Sequence, residues 1–122
     1  MGINQQEDIE LVNFYNLLLE AERAGVAVLG ELVPQIKNHP LQSTLKKFLR
    51  DEGLNCSILM DLIYDLDQEP SKRTGDFVSK VRDRKSIVEK VELLIHGQEW
   101  VARKIREFRH LLPPGSSYLF IE

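Results

Sequence analysis

Glu22, Glu52 and Gln98 each fall on the apolar stripe of a helical segment. A carboxylate or amide in such a position must find a partner or change its protonation state. In the first segment Leu11, Phe14, Tyr15, Leu18, Ala21, Gly25, Leu29 and Leu32 recur at three-then-four spacing, and Glu22 lies inside that row. Its neighbour Glu20 shares a face with Asn13, Asn16 and Arg23, the pattern of a solvated side. In the second segment Glu52 interrupts the stripe Leu41, Leu45, Phe48, Leu49, Cys56, Leu59, Ile63 and Leu66. In the third, Gln98 stands among Ile87, Val91, Leu94, Ile95, Val101, Ala102, Ile105 and Phe108. Pro34 to Pro40 reads as a hairpin turn, and positions 22 and 52 are equally far from its centre, position 37. Two antiparallel helices therefore bring the two carboxylates to one height.

Paired inward carboxylates have two chemical uses. They can share a proton, with Gln98 donating its amide and Arg23 or Arg103 acting as counter-ion, and so fix the register of a bundle. They can also ligate a metal ion. The other reactive residue types read more plainly. Cys56 lies on an apolar stripe with no histidine at helical spacing, so it reads as a core residue rather than a nucleophile. His96 shares an outer face with Glu89, Glu92, Glu99 and Arg103 and reads as a surface histidine; a surface metal site with Glu92 or Glu99 is the alternative. Glu89 is the natural capping partner of Ser86, and Trp100 a packing anchor. Gly97 in mid-helix costs roughly 1 kcal/mol relative to alanine, which close packing against it would explain. Arg103, Lys104, Arg106, Arg109 and His110 crowd a helix C-terminus, where the dipole favours them, and lack the aromatic residues that single-stranded nucleic acid stacks on. No phosphate-cradling glycine loop, nucleophile elbow or H-E-x-x-H occurs.

The elements that carry these residues are helices. Asn4 reads as an N-cap with Glu7 three residues on, and Asp8 and Glu10 place negative charge in the first turn. Pro40 suits the start of a second helix, which Asp67, Gln68, Glu69 and Pro70 end. Thr74, Gly75 and Asp76 open a short helix with Phe77, Val78 and Val81 inward, and Ser86 with Glu89 forms a capping box before the last long one. The expected helices span about 5–33, 41–66, 75–84 and 87–112, with Pro113, Pro114 and Gly115 starting a tail over 113–122. Tyr118, Leu119, Phe120 and Ile121 in that tail need a cover, from the bundle or from another chain.

Composition bounds the function. The 122 residues, 43% hydrophobic and 29% charged, suit one soluble globular domain. A net charge of -3 favours neither nucleic acid nor an anionic membrane, and no apolar run approaches the roughly 20 residues of a membrane span. The acidic start does not read as a signal peptide, and a single cysteine fits a reducing compartment, so the expected location is cytoplasmic.

The stretches Leu18-Leu19-Glu20-Ala21-Glu22-Arg23-Ala24-Gly25, Arg50-Asp51-Glu52, Thr74-Gly75-Asp76-Phe77 and Gly97-Gln98-Glu99-Trp100-Val101-Ala102-Arg103-Lys104 resemble a small bacterial branch of the ferritin-like superfamily, one of unassigned activity. The resemblance runs from about Leu11 to Leu112. It implies an all-α, ferritin-like antiparallel bundle, here of three long helices plus one short. It also implies a comparison with di-iron centres, in which two helices give one glutamate each and two give a Glu-x-x-His pair. Glu22 matches a first-helix ligand and Glu52 the glutamate of a second-helix pair, but Asn55 stands where the histidine belongs. The leading expectation is a non-catalytic bundle, without a cofactor, acting by assembly as a homodimer or by binding a protein partner. The alternative is an oxidase or storage protein holding iron or manganese at Glu22 and Glu52.

Overall fold

Helix α1, Gln5–Gln35, is the spine on which everything else packs. The structure, a computed structural model, describes residues 5–111; the expected cap at Asn4 and the apolar run Tyr118 to Ile121 lie outside the described residues. After α1 come α2 (Gln42–Asp65), the short α3 (Phe77–Arg82), α4 (Ile87–Glu107) and a 3-10 turn over Arg109–Leu111. No strand occurs among the described residues. The helix limits follow local chemistry. Pro34 falls inside the last turn of α1, where the carbonyl it leaves without a donor belongs to the exposed Gly30. The α1–α2 turn needs Asn38 at φ 67°, and Leu41 N–H donates to His39 Nδ1 at 3.0 Å, so α2 begins at Gln42 rather than at Pro40. At its far end Asp67 adopts φ 58°, and Gln68 and Asp67 donate to the carbonyls of Ile63 and Tyr64, a Schellman ending. Ser86 caps α4 by accepting from Glu89 N–H at 3.1 Å, while the Glu89 carboxylate accepts from Lys85 N–H at 3.3 Å.

Two apolar clusters make up the core. At one end Leu11, Phe14, Tyr15 and Leu18 meet Leu59 and Ile63 of α2 and Ile105 of α4, with the Phe14 and Phe108 rings stacked at 4.9 Å. At the other end Val28, Leu29 and Leu32 meet Leu45, Val81 and Leu94. The start of α1 thus lies against the ends of both α2 and α4. Helix α1 is antiparallel to each of them, and α2 and α4 run parallel to one another. The segment between Leu66 and Ser86 crosses back along the bundle, so the fully antiparallel arrangement of long helices expected from the sequence is revised in this one respect.

Three stripe residues do not enter the core. Leu41, Phe48 and Ile95 are exposed, because a groove remains open between α2 and α4.

Candidate functional site

Between the two apolar clusters lies one polar layer. Glu22 of α1 and Glu52 and Asn55 of α2 are each only 4% exposed, and the half-buried Gln98 of α4 reaches the same level. Gln98 Nε2 donates to Glu52 Oε1, and Asn55 donates to the Glu22 carboxylate. These bonds use one oxygen of Glu52 and leave Oε2 of both Glu22 and Glu52 buried without a hydrogen-bond partner. Such unmatched acceptors are rare in folded proteins and call for an explanation.

Local sequence makes the room. Gly25, one turn after Ala21 on α1, faces α2, and a Cβ built there would overlap the Glu52 carboxylate. Gly97 on α4 does the same for Phe77, since a Cβ at Gly97 would lie 3.0 Å from Phe77 Cζ. The mid-helix glycine is therefore explained by one aromatic ring at the start of α3.

Burial decides the protonation of the pair. Desolvation, opposed by the Asn55 bond, pushes Glu22 up to about 7. Desolvation and the negative charge of Glu22 push Glu52 up to about 8, with Gln98 pulling the other way. The two carboxyls titrate as a pair, and near neutral pH the pair holds at least one proton. Cys56, half-buried nearby, is pushed up to about 11, first by burial and then by the charge of Glu22. It stays a thiol and is a poor nucleophile.

Above this layer opens a cavity of about 290 Å³. Its lining includes Glu22, Glu52 and Gln98 of the layer, the apolar Ala21, Leu94 and Val101, the rings of Phe77 and Trp100, and Glu20 and Asp76. The four sequence stretches singled out above, around Glu22, Glu52, Phe77 and Gln98, thus converge on one hollow.

Arg23 and Glu20 have a task that the sequence did not reveal. Arg23 Nη1 donates to the carbonyls of Ser71 and Arg73, each at 2.8 Å, rather than serving the carboxylates as counter-ion. Ser71 Oγ donates to Glu20 Oε2 and Ser71 N–H to Asn16 Oδ1, both at 2.7 Å. The face of α1 expected to be solvated binds the α2–α3 connection and so holds one wall of the cavity. Arg103 is exposed. His96 is exposed too, with Nδ1 3.6 Å from Glu99 Oε2. Among the described residues no three His, Cys, Asp or Glu side chains are grouped to hold a metal ion. No helix among the described residues is long and apolar enough to cross a membrane.

Asn55 is the member of the layer that sequence reasoning passed over. A family model described as Domain of unknown function (DUF6306) matches residues 9–114, a span that contains every residue of the layer and the cavity. No curated protein and no solved structure matches the chain.

Proposed function

The chain belongs to the DUF6306 family, and we propose that it acts without catalysis, as a ferritin-like helical bundle that binds a partner over Glu22, Glu52 and Gln98 and assembles with a second copy of itself. One observation carries the binding half. The polar layer leaves one buried oxygen of Glu22 and one of Glu52 without a donor, and the same two side chains are among the lining of a cavity. The proton that the pair holds near neutral pH supplies one donor and leaves acceptor capacity over. The raised carboxyls are chemically competent to move a proton. The cavity lining, however, contains no Ser, Thr, Cys, His, Lys, Arg or Tyr, and its only side-chain donors besides the carboxyls are the Gln98 amide and the Trp100 indole N–H. Binding is the use that needs no further parts.

The crossover between α2 and α4 supports the ferritin-like reading, since such bundles carry one long crossover connection. The exposed apolar groove between those helices supports assembly. The single cysteine, kept as a thiol, suits a cytoplasmic setting, where a protein partner would also be met.

The binding reading has a built-in reporter, because Trp100 is the only tryptophan and lines the cavity. In a screen of small molecules, ligands that shift Trp100 emission saturably in the wild type are expected to lose that effect in Ala21→Leu, whose longer side chain fills the cavity. Helical circular dichroism serves as the folding control. Equal response from both proteins would place binding elsewhere.

The same two inward glutamates favour a second reading, carboxylate-bound iron or manganese in an oxidase or storage protein. The donor set is short for it: Glu22 and Glu52 give two carboxylates, and Asn55 occupies the position of the missing histidine. Elemental analysis after growth with both metals separates the readings. Roughly one or two ions per chain, lost in the Glu22→Ala, Glu52→Ala variant, is the stoichiometry that a carboxylate centre requires; trace metal unaffected by the substitutions is the outcome expected here.

A further inference from the structure

We propose that the segment from Thr74 to Phe77 is a strap that opens without the bundle unfolding, Phe77 lifting from its seat at Gly97 so that a ligand can reach the layer of Glu22, Glu52 and Gln98. This rests on the binding reading above and names how that site is controlled.

The layer has to be uncovered before anything can touch it. Glu22 and Glu52 are among the cavity lining, yet each is only 4% exposed, and Ala24 in the same lining is 0% exposed. Something must therefore move. The long helices are poor candidates. Helix α1 sinks Leu18, Leu19 and Leu29 fully into the core, and α2 does the same with Leu59 and Ile63. Helix α4 sets Leu94 into one apolar cluster and Ile105 into the other. Shifting any of the three disturbs close packing along its length.

The crossover between α2 and α4 is built differently. Its two ends are tied down. At one end Arg23 Nη1 donates to the carbonyls of Ser71 and Arg73; at the other Val81 is buried and Arg82 Nε donates to both Glu31 carboxylate oxygens at 3.1 Å. Between the ties, residues 72–76 are exposed and belong to no helix. Space is open around Gly75, where an added Cβ would meet nothing within 4 Å. Helix α3 has six residues, too few to hold its shape without packing. A sparsely packed segment with exposed backbone is where a protein opens at less cost than global unfolding.

Phe77 is the latch. Gly75, Asp76 and Phe77 are all among the cavity lining, so moving them uncovers it. The Phe77 ring rests against α4 at Gly97, a position with no side chain to clasp it. The residue is half-buried, so lifting it exposes less apolar surface than withdrawing a ring from the core.

The test needs no ligand. In the full chain carrying Cys56→Ala, a single reporter thiol is introduced by Ala24→Cys in the cavity lining or by Leu59→Cys in the core; both native residues are fully buried. Reaction with dithiodipyridine, a small neutral thiol reagent, is followed in mildly alkaline buffer with increasing urea below the unfolding transition. Each rate is set against that variant's own unfolding free energy. The Ala24→Cys thiol is expected to react at least about tenfold faster than global unfolding allows and almost independently of urea, while Leu59→Cys reacts only in step with unfolding. Adding Phe77→Ala or Arg23→Ala, which remove the latch and one tie, is expected to speed the Ala24→Cys reaction further and to leave Leu59→Cys tied to unfolding. Where the sulfur added at position 24 unfolds the bundle, Leu94→Cys in the same lining adds no volume and takes its place. Reaction of both thiols in step with unfolding would overturn the strap. So would a fast cavity thiol that neither Phe77→Ala nor Arg23→Ala accelerates, since the reagent would then enter elsewhere. A ligand found in the Trp100 screen without local opening would refute the strap and leave the binding reading standing; local opening with no such ligand would do the reverse.

Discussion

Holding Glu22 and Glu52 inside the bundle ties the stability of the fold to pH. Both folded-state values, about 7 and about 8, exceed the ordinary 4.5 of a free glutamate. The folded protein therefore binds more protons than the unfolded chain in the interval between, and stability falls as pH rises through it. Below about pH 4.5 both states are protonated and the pair adds no charge penalty. The urea midpoint of the wild type is thus expected to drop between about pH 5 and pH 9, and the drop to be smaller in Glu22→Gln, Glu52→Gln, where no charge develops. Superimposable pH profiles would mean that the carboxyls ionise as freely as on a surface. The two glutamates were legible from numbering, because equal distance from a hairpin centre puts two residues at one height. Asn55 was not. In the sequence it is only a departure from Glu-x-x-His, whereas in the fold the residue three positions after Glu52 lies one turn along the same helix face and bonds Glu22.

The long helices could be read from periodicity, since apolar spacing reports which side of a helix is inward, and the cap of α4 from the Ser86–Glu89 box. What that side packs against is not in the spacing. The polar face of α1 looks the same in sequence whether it meets water or a loop backbone, and here Asn16, Glu20 and Arg23 bind the connection around Ser71. The direction of α4 relative to α2 was hidden for a related reason: a connection from Leu66 to Ser86 is long enough to turn back or to cross over, and the crossover is held by these side chains. Arg23→Ala removes two bonds to loop carbonyls and is expected to loosen the segment without unfolding the helices. Limited trypsin digestion reads this directly, because Lys72 and Arg73 are exposed cleavage points in that segment. Faster cleavage there than in the wild type, with unchanged helical circular dichroism, is the expected result; equal rates would show that the loop is held by other contacts. Loosening the loop also frees Gly75 and Asp76 in the cavity lining, so weaker ligand response at Trp100 should accompany it.

At the scale of the whole molecule the bundle is covered unevenly. Helix α1 packs along α2, α3 and α4, yet the groove between the parallel α2 and α4 leaves Leu41 40%, Phe48 43% and Ile95 52% exposed. Single exposed apolar residues are ordinary, but a row of them along one groove marks a surface that gains from being covered. Under the proposed assembly, a two-fold axis along the groove would set Phe48 and Ile95 of one copy against the same residues of the other. Sedimentation equilibrium is then expected to give about twice the 14.1 kDa chain mass for the wild type and the single-chain mass for Phe48→Ser, Ile95→Ser. Both residues are already exposed, so the variant should keep its unfolding free energy within about 0.5 kcal/mol after allowing for lost assembly. A wild type that sediments as a single chain at all concentrations would remove assembly from the proposed function. It would leave the carboxylate cavity untouched, since every residue that builds it comes from one chain.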